Sequence, residues 1–321
     1  MLLIYDHDDE NISQLKSRWP LVETNTSVKT FILNARSDDL YIDYTDKSLT
    51  ITQGKTIITN EDFERSEFIL FYRWRMEDVP FVVSSLEESS EKNFSEREWS
   101  SIIIGMLLYY ENIFPNKVWI NKPSLFYSLR NKQFLMSIAK INGLLQPKFY
   151  ISNKVRVLND LDNITHYMAK PISSDEQIDN ERYFRPCKIE KKYIKENTGH
   201  ITDCPSYIQE YICADYEVRS YYLLGQILSV KLTAKNKYTD IRDVIKENLI
   251  IELFNLPANL SKKIICFCQK LGINYCCFDF LSKKKSYYLI DITPNASWSF
   301  YDYNFLITDW MVKTISEYNK K

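Results

Sequence analysis

Two aspartates stand inside apolar runs near the carboxyl end of the chain, Asp279 in CCFDFL and Asp291 in YLIDIT. A carboxylate within a buried strand is costly unless a cation or hydrogen-bond donors pair with it. The runs 275–281 and 287–292, joined by a basic turn, predict neighbouring strands on which the two acids face each other. A buried salt bridge would account for either acid alone, whereas the two together favour a divalent-metal site. Oxygen ligands in a chain with only three histidines indicate Mg²⁺ rather than zinc.

Two lysines could supply positive charge beside such a metal. Lys170 ends a predicted strand, 166–170, where a cation would point into a cleft. Lys132 lies at the start of a predicted helix, a place where lysines usually face solvent. The six glycines form neither a G-x-G-x-x-G fingerprint nor a G-x-x-x-x-G-K phosphate loop. If the protein binds a triphosphate, lysines and Mg²⁺ are therefore the available means of neutralising it.

A third candidate feature is the segment IQEYI at 208–212, which is followed by Glu217 and Arg219. A strand that leaves its sheet here could offer backbone N–H and C=O groups to an adenine ring. The later acid could hold the ribose hydroxyl groups. Because this composition is common in strands, the segment carries weight only together with the other features.

The elements that must position these residues begin with alternating strand and helix signals over residues 1–120, which favour a small open α/β layer. A capping-box spacing at Ser95 and Glu98 predicts the start of its long apolar helix. From residue 121, Pro123 opens a predicted helix that Asn142-Gly143 closes.

The rest of the chain divides into a polar stretch and a strongly patterned one. Residues 173–197 are charged and poorly periodic, and we interpret them as a mobile loop or lid. Beyond residue 206, alternating runs predict hairpins, a helix over 261–271 and a last helix over 304–318.

Composition and charge limit the classes of partner. The chain has 321 residues, with 41 Lys and Arg against 42 Asp and Glu, so no overall field recruits nucleic acid or an anionic membrane. The longest apolar stretch, 102–110, is far short of a bilayer span. The amino-terminal segment is acidic and unlike a signal peptide. Seven scattered cysteines indicate ordinary packing in a reduced protein. We therefore expect a cytoplasmic protein without a nucleic-acid or membrane partner.

Six short motifs, in their order along the chain, resemble those of the ATP-grasp ligases. They are N-K-Q (131–133), A-K-P (169–171), I-Q-E-Y-I (208–212), E-V-R (217–219), F-D-F (278–280) and L-I-D-I-T-P-N (289–295). Each motif alone is weak, but the set is specific and covers roughly residues 118–300.

Within that superfamily, the chain is similar to the microviridin-type peptide ligases, also called graspetide synthetases. The segments that carry this resemblance are F-Y-R-W-R (71–75), V-W-I-N-K-P (118–123), T-D-I-R (239–242), N-L-P (255–257) and P-N-A-S-W (294–298). They extend the resemblance over most of the chain.

The resemblance implies an ATP-grasp fold, of α/β class with α+β elements, in three parts. Residues 1–120 would form an N-terminal pre-ATP-grasp α/β domain. Residues 121–206 would form a small central subdomain with the lid, and residues 207–321 a C-terminal antiparallel-sheet subdomain with the metal site.

The resemblance also implies roles for individual residues. It assigns Lys132 and Lys170 to the phosphates of ATP, Glu210, Tyr211 and Ile212 to adenine, Glu217 to the ribose, Asp279, Asp291 and Asn295 to Mg²⁺, and Arg219, Asp240 and Arg242 to the acceptor and acyl-phosphate side.

Four positions depart from the family pattern. The family usually has Glu where Asp291 stands, Asn where Thr293 stands, and Gly-Gln in place of Ala296-Ser297. Asn295 or a water molecule could then supply the third metal ligand.

The implied activity is ATP-dependent peptide ligation. Asp or Glu side chains of a ribosomal precursor peptide would be activated as acyl phosphates and closed into ester or amide rings by Ser, Thr or Lys side chains. The leader of that peptide would dock away from the reaction centre, and the enzyme would be a homodimer. Two alternatives stay open, a carboxylate-amine ligase for a small amino-acid substrate and a non-catalytic homologue that binds a leader peptide.

Overall fold

The computed structural model describes most of the chain, with gaps. The described residues are 2–5, 10–22, 29–32, 40–45, 48–72, 90–154, 166–172, 176–177, 183–184, 186–196, 205–235, 241, 244 and 246–318.

The regular elements are numbered in chain order. The strands are β1 (Leu2–Tyr5), β2 (Lys29–Ile32), β3 (Leu40–Tyr44), β4 (Leu49–Gln53), β5 (Thr56–Thr59), β6 (Phe68–Tyr72), β7 (Val118–Ile120), β8 (Phe149–Ser152), β9 (His166–Lys170), β10 (Glu176–Gln177), β11 (Tyr183–Phe184), β12 (Cys187–Glu190), β13 (Ser206–Glu210), β14 (Tyr216–Leu223), β15 (Gln226–Ala234), β16 (Leu249–Leu253), β17 (Tyr275–Lys283) and β18 (Ser286–Pro294). The α-helices are α1 (Glu10–Val22), α2 (Asn60–Arg65), α3 (Ser90–Ile113), α4 (Phe126–Arg130), α5 (Lys132–Ile141), α6 (Lys191–Glu196), α7 (Ala258–Leu271) and α8 (Leu306–Tyr318).

The amino-terminal part is an open parallel sheet in the order β2-β1-β6-β7, beside a small antiparallel sheet β3-β4-β5. The predicted α/β layer is therefore confirmed. The predicted start of α3 at Ser95 is wrong, because the helix already begins at Ser90 with Glu91 in its first turn. Its first turns are polar, so the hydrophobic periodicity that reveals a helix from sequence begins only later.

The central part is a four-stranded antiparallel sheet in the order β12-β9-β13-β8. Tyr167 and Ile208 on one face pack with Ile194 of α6 in a small core. The interpretation of 173–197 as a loop is wrong over 187–196, which forms β12 and α6, and over the short strands β10 and β11; its role as a lid stays a prediction. Pairing with β9 stabilises β12 as a strand. A polar edge strand shows little of the hydrophobic alternation by which strands are predicted from sequence.

The carboxyl-terminal part is an antiparallel sheet in the order β16-β15-β14-β17-β18. One face packs under α4, α5 and α7, and the opposite face packs under α1 and α8. The two predicted hairpins are confirmed, as β14 pairs with β15 and β17 with β18. The predicted helix from Pro123 to Gly143 is instead a 3₁₀ turn followed by α4 and α5, which break at Asn131; this residue caps α5 by accepting a hydrogen bond from the Phe134 N–H.

A β-bulge in β18 sets which side chains of this strand face the core. Asp279 pairs with Asp291 while Phe280 pairs with Leu289, so Ile290 is the extra residue. Leu289 and Ile292 can therefore both enter the same core, although they are three residues apart. Asp291 remains on the opposite face.

Among the helices of the described residues, none has both the length and the apolar character that crossing a membrane requires.

The core between α7 and the sheet gives a stability prediction. Phe267 is fully buried, with its ring 5.6 Å from that of Phe278 in an edge-on arrangement. We expect Phe267→Ala to lower the free energy of unfolding by about 3–5 kcal/mol, since it removes buried apolar surface and leaves a cavity. Urea unfolding measures this. The control is Phe94→Ala on α3, where the side chain is 60% exposed; equal destabilisation by the two variants would contradict the packing.

Candidate active site

Three charged side chains form a row across the carboxyl-terminal sheet. Arg219 of β14 lies directly opposite Asp279 of β17, which lies directly opposite Asp291 of β18. Directly opposed residues of neighbouring strands point to the same face, so the three side chains stand side by side. The prediction that the two aspartates face each other is confirmed.

Arg219 is the most enclosed member of the row. Its Nη1 donates to both carboxylate oxygens of Asp279 at 3.0 and 3.1 Å, its Nε to the Tyr221 hydroxyl at 3.0 Å, and its Nη2 to the Ser297 carbonyl at 3.3 Å. The guanidinium carbon also lies 4.9 Å from the ring centroid of Tyr301. Burial alone would lower the pKa of Arg219, but the charge of Asp279, together with the neighbouring Cys277, Tyr221 and Tyr301, outweighs burial and holds the pKa well above its ordinary value.

The two predicted phosphate lysines both reach β18. Lys132 Nζ lies 3.2 Å from Asp291 Oδ1, and Lys170 Nζ donates to the carbonyl of Ile290 at 3.1 Å. Lys132 comes from the first turn of α5 and Lys170 from the end of β9. The structure thus brings both lysines and both aspartates to one place, beside the bulge.

Asn295, the third predicted metal ligand, takes part in a different network. It has a left-handed backbone conformation with φ of 58°, and its Oδ1 accepts from Asn121 Nδ2 at 3.0 Å. Asn121 Oδ1 in turn accepts from the N–H groups of Asn274 and Tyr275, both at 2.8 Å. This amide network ties the end of β7 to the start of β17, so the Asn295 side chain is already used as a structural link.

The donor set of the row suits Mg²⁺. Within the described ranges no group of three or more His, Cys, Asp or Glu side chains gathers as a metal cluster. Mg²⁺ commonly uses only one or two carboxylates together with phosphate oxygens and water, and Asp279 and Asp291 offer that pair. Thr293 follows Asp291 by two residues and therefore lies on the same face.

The segment assigned to adenine follows β13. The Glu210 N–H donates to the Lys148 carbonyl at 2.7 Å, and the Tyr211 N–H donates to the His166 carbonyl at 3.2 Å. An adenine at this place would therefore meet other groups of the segment than these two N–H groups. Ile212 is buried, and Glu217 is half-buried on the same face of β14 as Arg219.

Two predicted residues, Asp240 and Arg242, lie outside the described residues, as do residues 73–75 of the tryptophan- and arginine-rich segment.

A small, partly open apolar pocket adjoins Lys132, between the first turns of α5 and the central sheet. It is lined by Lys132, Gln133, Met136, Phe149, Ile151, Ile172 and Tyr207. Burial raises the pKa of the Tyr207 hydroxyl, and the charge of Asp291 raises it further. Sequence reasoning missed this lining, although Phe149 and Ile151 alternate along a strand and so indicate a shared face.

The side chains that hold Arg219 were also missed. Tyr221 stands two residues after Arg219, so the strand period places it on the same face. Ser297 and Tyr301 come from the segment after β18, and nothing in the sequence indicates that they meet Arg219.

Neither a protein-family model nor a curated protein matches this sequence, but solved structures do. The macrocyclase MdnC from Microcystis aeruginosa MRC, bound with precursor peptide MdnA, is 17% identical with a TM-score of 0.80, and the match covers 98% of each chain. A Chryseobacterium gregarium RiPP-associated ATP-grasp ligase, in complex with ADP and a leader and core peptide, is 16% identical with a TM-score of 0.81, covering 99% of this chain and 96% of that one. These likenesses show that the chain has the ATP-grasp fold, as predicted.

A more distant match is D-cycloserine synthetase DcsG. It is 10% identical with a TM-score of 0.56, and the match covers 98% of this chain and 99% of that one.

The buried tyrosines behind the row give a prediction on alkaline stability. Burial raises the pKa of the Tyr275 hydroxyl well above its ordinary value of 10.0. Above that pH the unfolded chain loses this proton while the folded protein keeps it. The free energy of unfolding should therefore be unaffected below about pH 10 and fall above it by up to about 1.4 kcal/mol per pH unit for each such group.

Urea unfolding of the parent protein and of Tyr275→Phe, across this pH range, measures the effect. The variant loses the hydrogen bond from the Tyr275 hydroxyl to the Ala296 carbonyl at every pH, which lowers its free energy of unfolding by a constant amount. The test is therefore the slope of the free energy of unfolding against pH. The slope should be shallower in the variant, and identical slopes would contradict the assignment.

Proposed function

We propose that this protein is an ATP-dependent peptide ligase that closes ester or amide rings in a ribosomal precursor peptide. The observation that carries the proposal is the convergence of Lys132 and Lys170 on the strand that bears Asp291, opposite Asp279 and Arg219. The fold supports it, since the match to the macrocyclase MdnC spans 98% of both chains.

The phosphates of ATP would lie between the two lysines and the aspartates. Lys132 would leave the Asp291 carboxylate, 3.2 Å away, to contact a phosphate oxygen. Lys170 already points from β9 towards β18 and would contact the phosphates with little movement. Such an exchange replaces one charge pair by another, so it need not leave a buried charge alone.

Asp279 and Asp291 would hold Mg²⁺. When bound, the metal would offset the negative charge of the transferring phosphoryl group. Asp291 is shorter than the glutamate usual in the resembling family, yet it lies directly opposite Asp279 across the ladder. The third ligand would be Thr293, Asn295 or a water, and the bond from Asn121 to Asn295 favours the other two.

The ligation would run in two steps. A carboxylate oxygen of an Asp or Glu in the peptide attacks the γ-phosphorus, ADP leaves, and an acyl phosphate forms. A Ser or Thr hydroxyl, or a Lys amine, then attacks the acyl carbon, its proton is lost, and phosphate leaves. Each ring closure therefore removes the elements of one water from the peptide and converts one ATP to ADP and phosphate.

Arg219 would act on the acyl-phosphate side. Its guanidinium is held from three directions, which fixes its orientation before the substrate arrives and leaves little entropy to lose. A bound arginine so fixed can stabilise charge that develops on the phosphoryl oxygens. Asp240 and Arg242 remain predicted neighbours on this side.

The same proposal covers the domain organisation of the protein, its location, its oligomeric state and the docking of the leader. Residues 1–120, 121–206 and 207–321 would act as the pre-ATP-grasp domain, the central subdomain and the metal-binding subdomain, with β13 crossing the last of these boundaries to complete the central sheet. The protein would work in the cytoplasm as a homodimer, with the leader of its peptide docked away from the row.

A small-substrate ligase is the second candidate, and the comparisons favour it less. The TM-score falls from 0.80 for MdnC to 0.56 for D-cycloserine synthetase, over the same share of this chain.

The proposal predicts a mass change in the peptide encoded beside the gene. Incubated with the protein and Mg-ATP, that peptide should lose about 18 Da per ring by mass spectrometry. Asp279→Asn should reduce the rate about 10²-fold or more, since the charge stabilisation supplied through the metal contributes several kcal/mol. Binding of the leader peptide, measured by calorimetry, should stay within about twofold.

The matched control is Asp309→Asn. Asp309 also pairs with an arginine through two oxygens, binding Arg18 Nε and Nη2 at 2.6 and 2.5 Å, but outside the row. Retained ring closure in Asp279→Asn would refute the metal assignment. ATP turnover with free amino acids only would support the small-substrate ligase, and leader binding without mass change would support a non-catalytic homologue.

The proposed contact between Lys132 and a phosphate oxygen predicts that removing this lysine weakens nucleotide binding. Lys132→Met should weaken ATP binding about tenfold or more, since a hydrogen bond to a charged group contributes about 1.5–3 kcal/mol. Calorimetric titration with a non-hydrolysable ATP analogue measures this. Lys313→Met is the control, because Lys313 also pairs with an acid, Glu317, but on the exposed surface of α8. Equal affinities in the two variants would remove Lys132 from the phosphate site.

A further inference from the structure

Asn11 of α1 holds a segment that is distant in sequence, residues 297–299. Its side chain is 2% exposed. Asn11 Oδ1 accepts from the Trp298 N–H at 2.8 Å, the Ser299 N–H at 2.7 Å and the Ser297 hydroxyl at 3.1 Å. Three donors on one amide oxygen fix the path of this segment where it leaves β18 and enters a 3₁₀ turn, Ser299–Tyr301.

The same segment supplies two of the contacts of Arg219. The Ser297 carbonyl accepts from Arg219 Nη2 at 3.3 Å, and the Tyr301 ring lies 4.9 Å from the guanidinium carbon. The residue that bonds with Asn11 through its hydroxyl thus bonds with Arg219 through its carbonyl. A shift of the segment would move both contacts at once, because Ser297 and Tyr301 belong to one short stretch of backbone.

We propose that Asn11 is a positioning residue for the ligation step, acting on Arg219 through residues 297–301. The expected effect on ring closure rests on the proposed function, whereas the expected effect on the orientation of Arg219 does not. Loss of the Asn11 amide frees the backbone of the segment to move towards other partners. Arg219 then loses the carbonyl and the ring that fix its orientation, while its pairing with Asp279 persists.

A second anchor on the same segment provides the matched control. Trp298 Nε1 donates to Thr308 Oγ1 at 3.0 Å, and Thr308, on α8, is fully buried. Thr308→Val keeps a side chain of similar size but removes the hydroxyl that accepts from Trp298 Nε1 and donates to Asp302 and Gln14. It leaves the Ser297 carbonyl and the bonds from Asn11 in place. Asn11→Ala and Thr308→Val therefore disturb the same tryptophan, and only the first removes a bond to Ser297, whose carbonyl accepts from Arg219.

The conservative variant is Asn11→Asp. A carboxylate keeps an oxygen at the Oδ1 position for the three donors, and its charge is favourable in the first turn of a helix. Asn11→Ser keeps a polar group but is too short to place an oxygen there, and it replaces Asn11→Ala should the latter fail to fold. Folding of each variant is checked by its urea unfolding midpoint.

The first measurement is the Nε–Hε signal of Arg219 in ¹⁵N-arginine-labelled full-length protein, assigned by its absence in Arg219→Lys. In Asn11→Ala this signal should shift and its hydrogen exchange with water should accelerate, whereas in Thr308→Val and Asn11→Asp it should stay as in the parent protein. An unchanged signal in Asn11→Ala, or an equal change in Thr308→Val, overturns the proposal. This readout needs neither peptide nor ATP.

The second measurement is ring closure with Mg-ATP and the precursor peptide. Asn11→Ala should lower kcat about 10²-fold, the size of effect that a misplacement of about 1 Å produces, with KM for ATP within about twofold. Asn11→Asp should restore kcat, and Thr308→Val should retain it. A rise in KM without loss of kcat would overturn the positioning role. Failure of the parent protein to modify the peptide would refute the proposed function alone, since the Arg219 signal tests the orientation of Arg219 separately.

Discussion

The largely enclosed pairing of Arg219 with Asp279 is the constraint on which the candidate site depends. A guanidinium enclosed by protein must have its charge balanced and its donors satisfied, or the folded state loses several kcal/mol. Asp279 balances the charge and accepts from Nη1, while the Tyr221 hydroxyl accepts from Nε and the Ser297 carbonyl from Nη2. These partners come from two neighbouring strands and from the segment after β18, so the arginine is oriented only when the sheet is complete.

Electrostatics also explains how the row can exist before any metal or nucleotide binds. Two carboxylates directly opposite on adjacent strands repel each other. Here each has its own cation, Arg219 for Asp279 and Lys132 for Asp291. Each carboxylate is therefore neutralised by a cation of the protein. In the proposed nucleotide complex a phosphate group would replace Asp291 as the partner of Lys132, so the affinity for a nucleotide would reflect the difference between two charge pairs rather than the whole strength of either.

The amino-terminal part of the chain contributes to the site through buried amides. Asn121 joins β7 to β17 and to Asn295, and Asn11 holds residues 297–299. Amide side chains both donate and accept, so one buried residue can satisfy several backbone groups of a connecting segment. The turn after β18, which departs from the resembling family at Ala296-Ser297, is thus supported from two directions by residues far away in sequence.

Local signals in the sequence determined the strands and the facing acids. Alternation marks β14, β15, β17 and β18, and an acid inside each of the last two runs indicates a shared site because the side-chain period of a strand is two. The start of α3 and the regular structure of 187–196 were not predicted, because polar residues show little hydrophobic periodicity. Tertiary structure alone decided the partners of the charges. Lys132 meets Asp291 only because α5 packs at the edge strand, Lys170 meets Ile290 only because a bulge presents that carbonyl, and Asn11 meets Trp298 across 287 residues of chain. Contacts of this kind arise from the packing of whole layers, and no spacing along the chain encodes them.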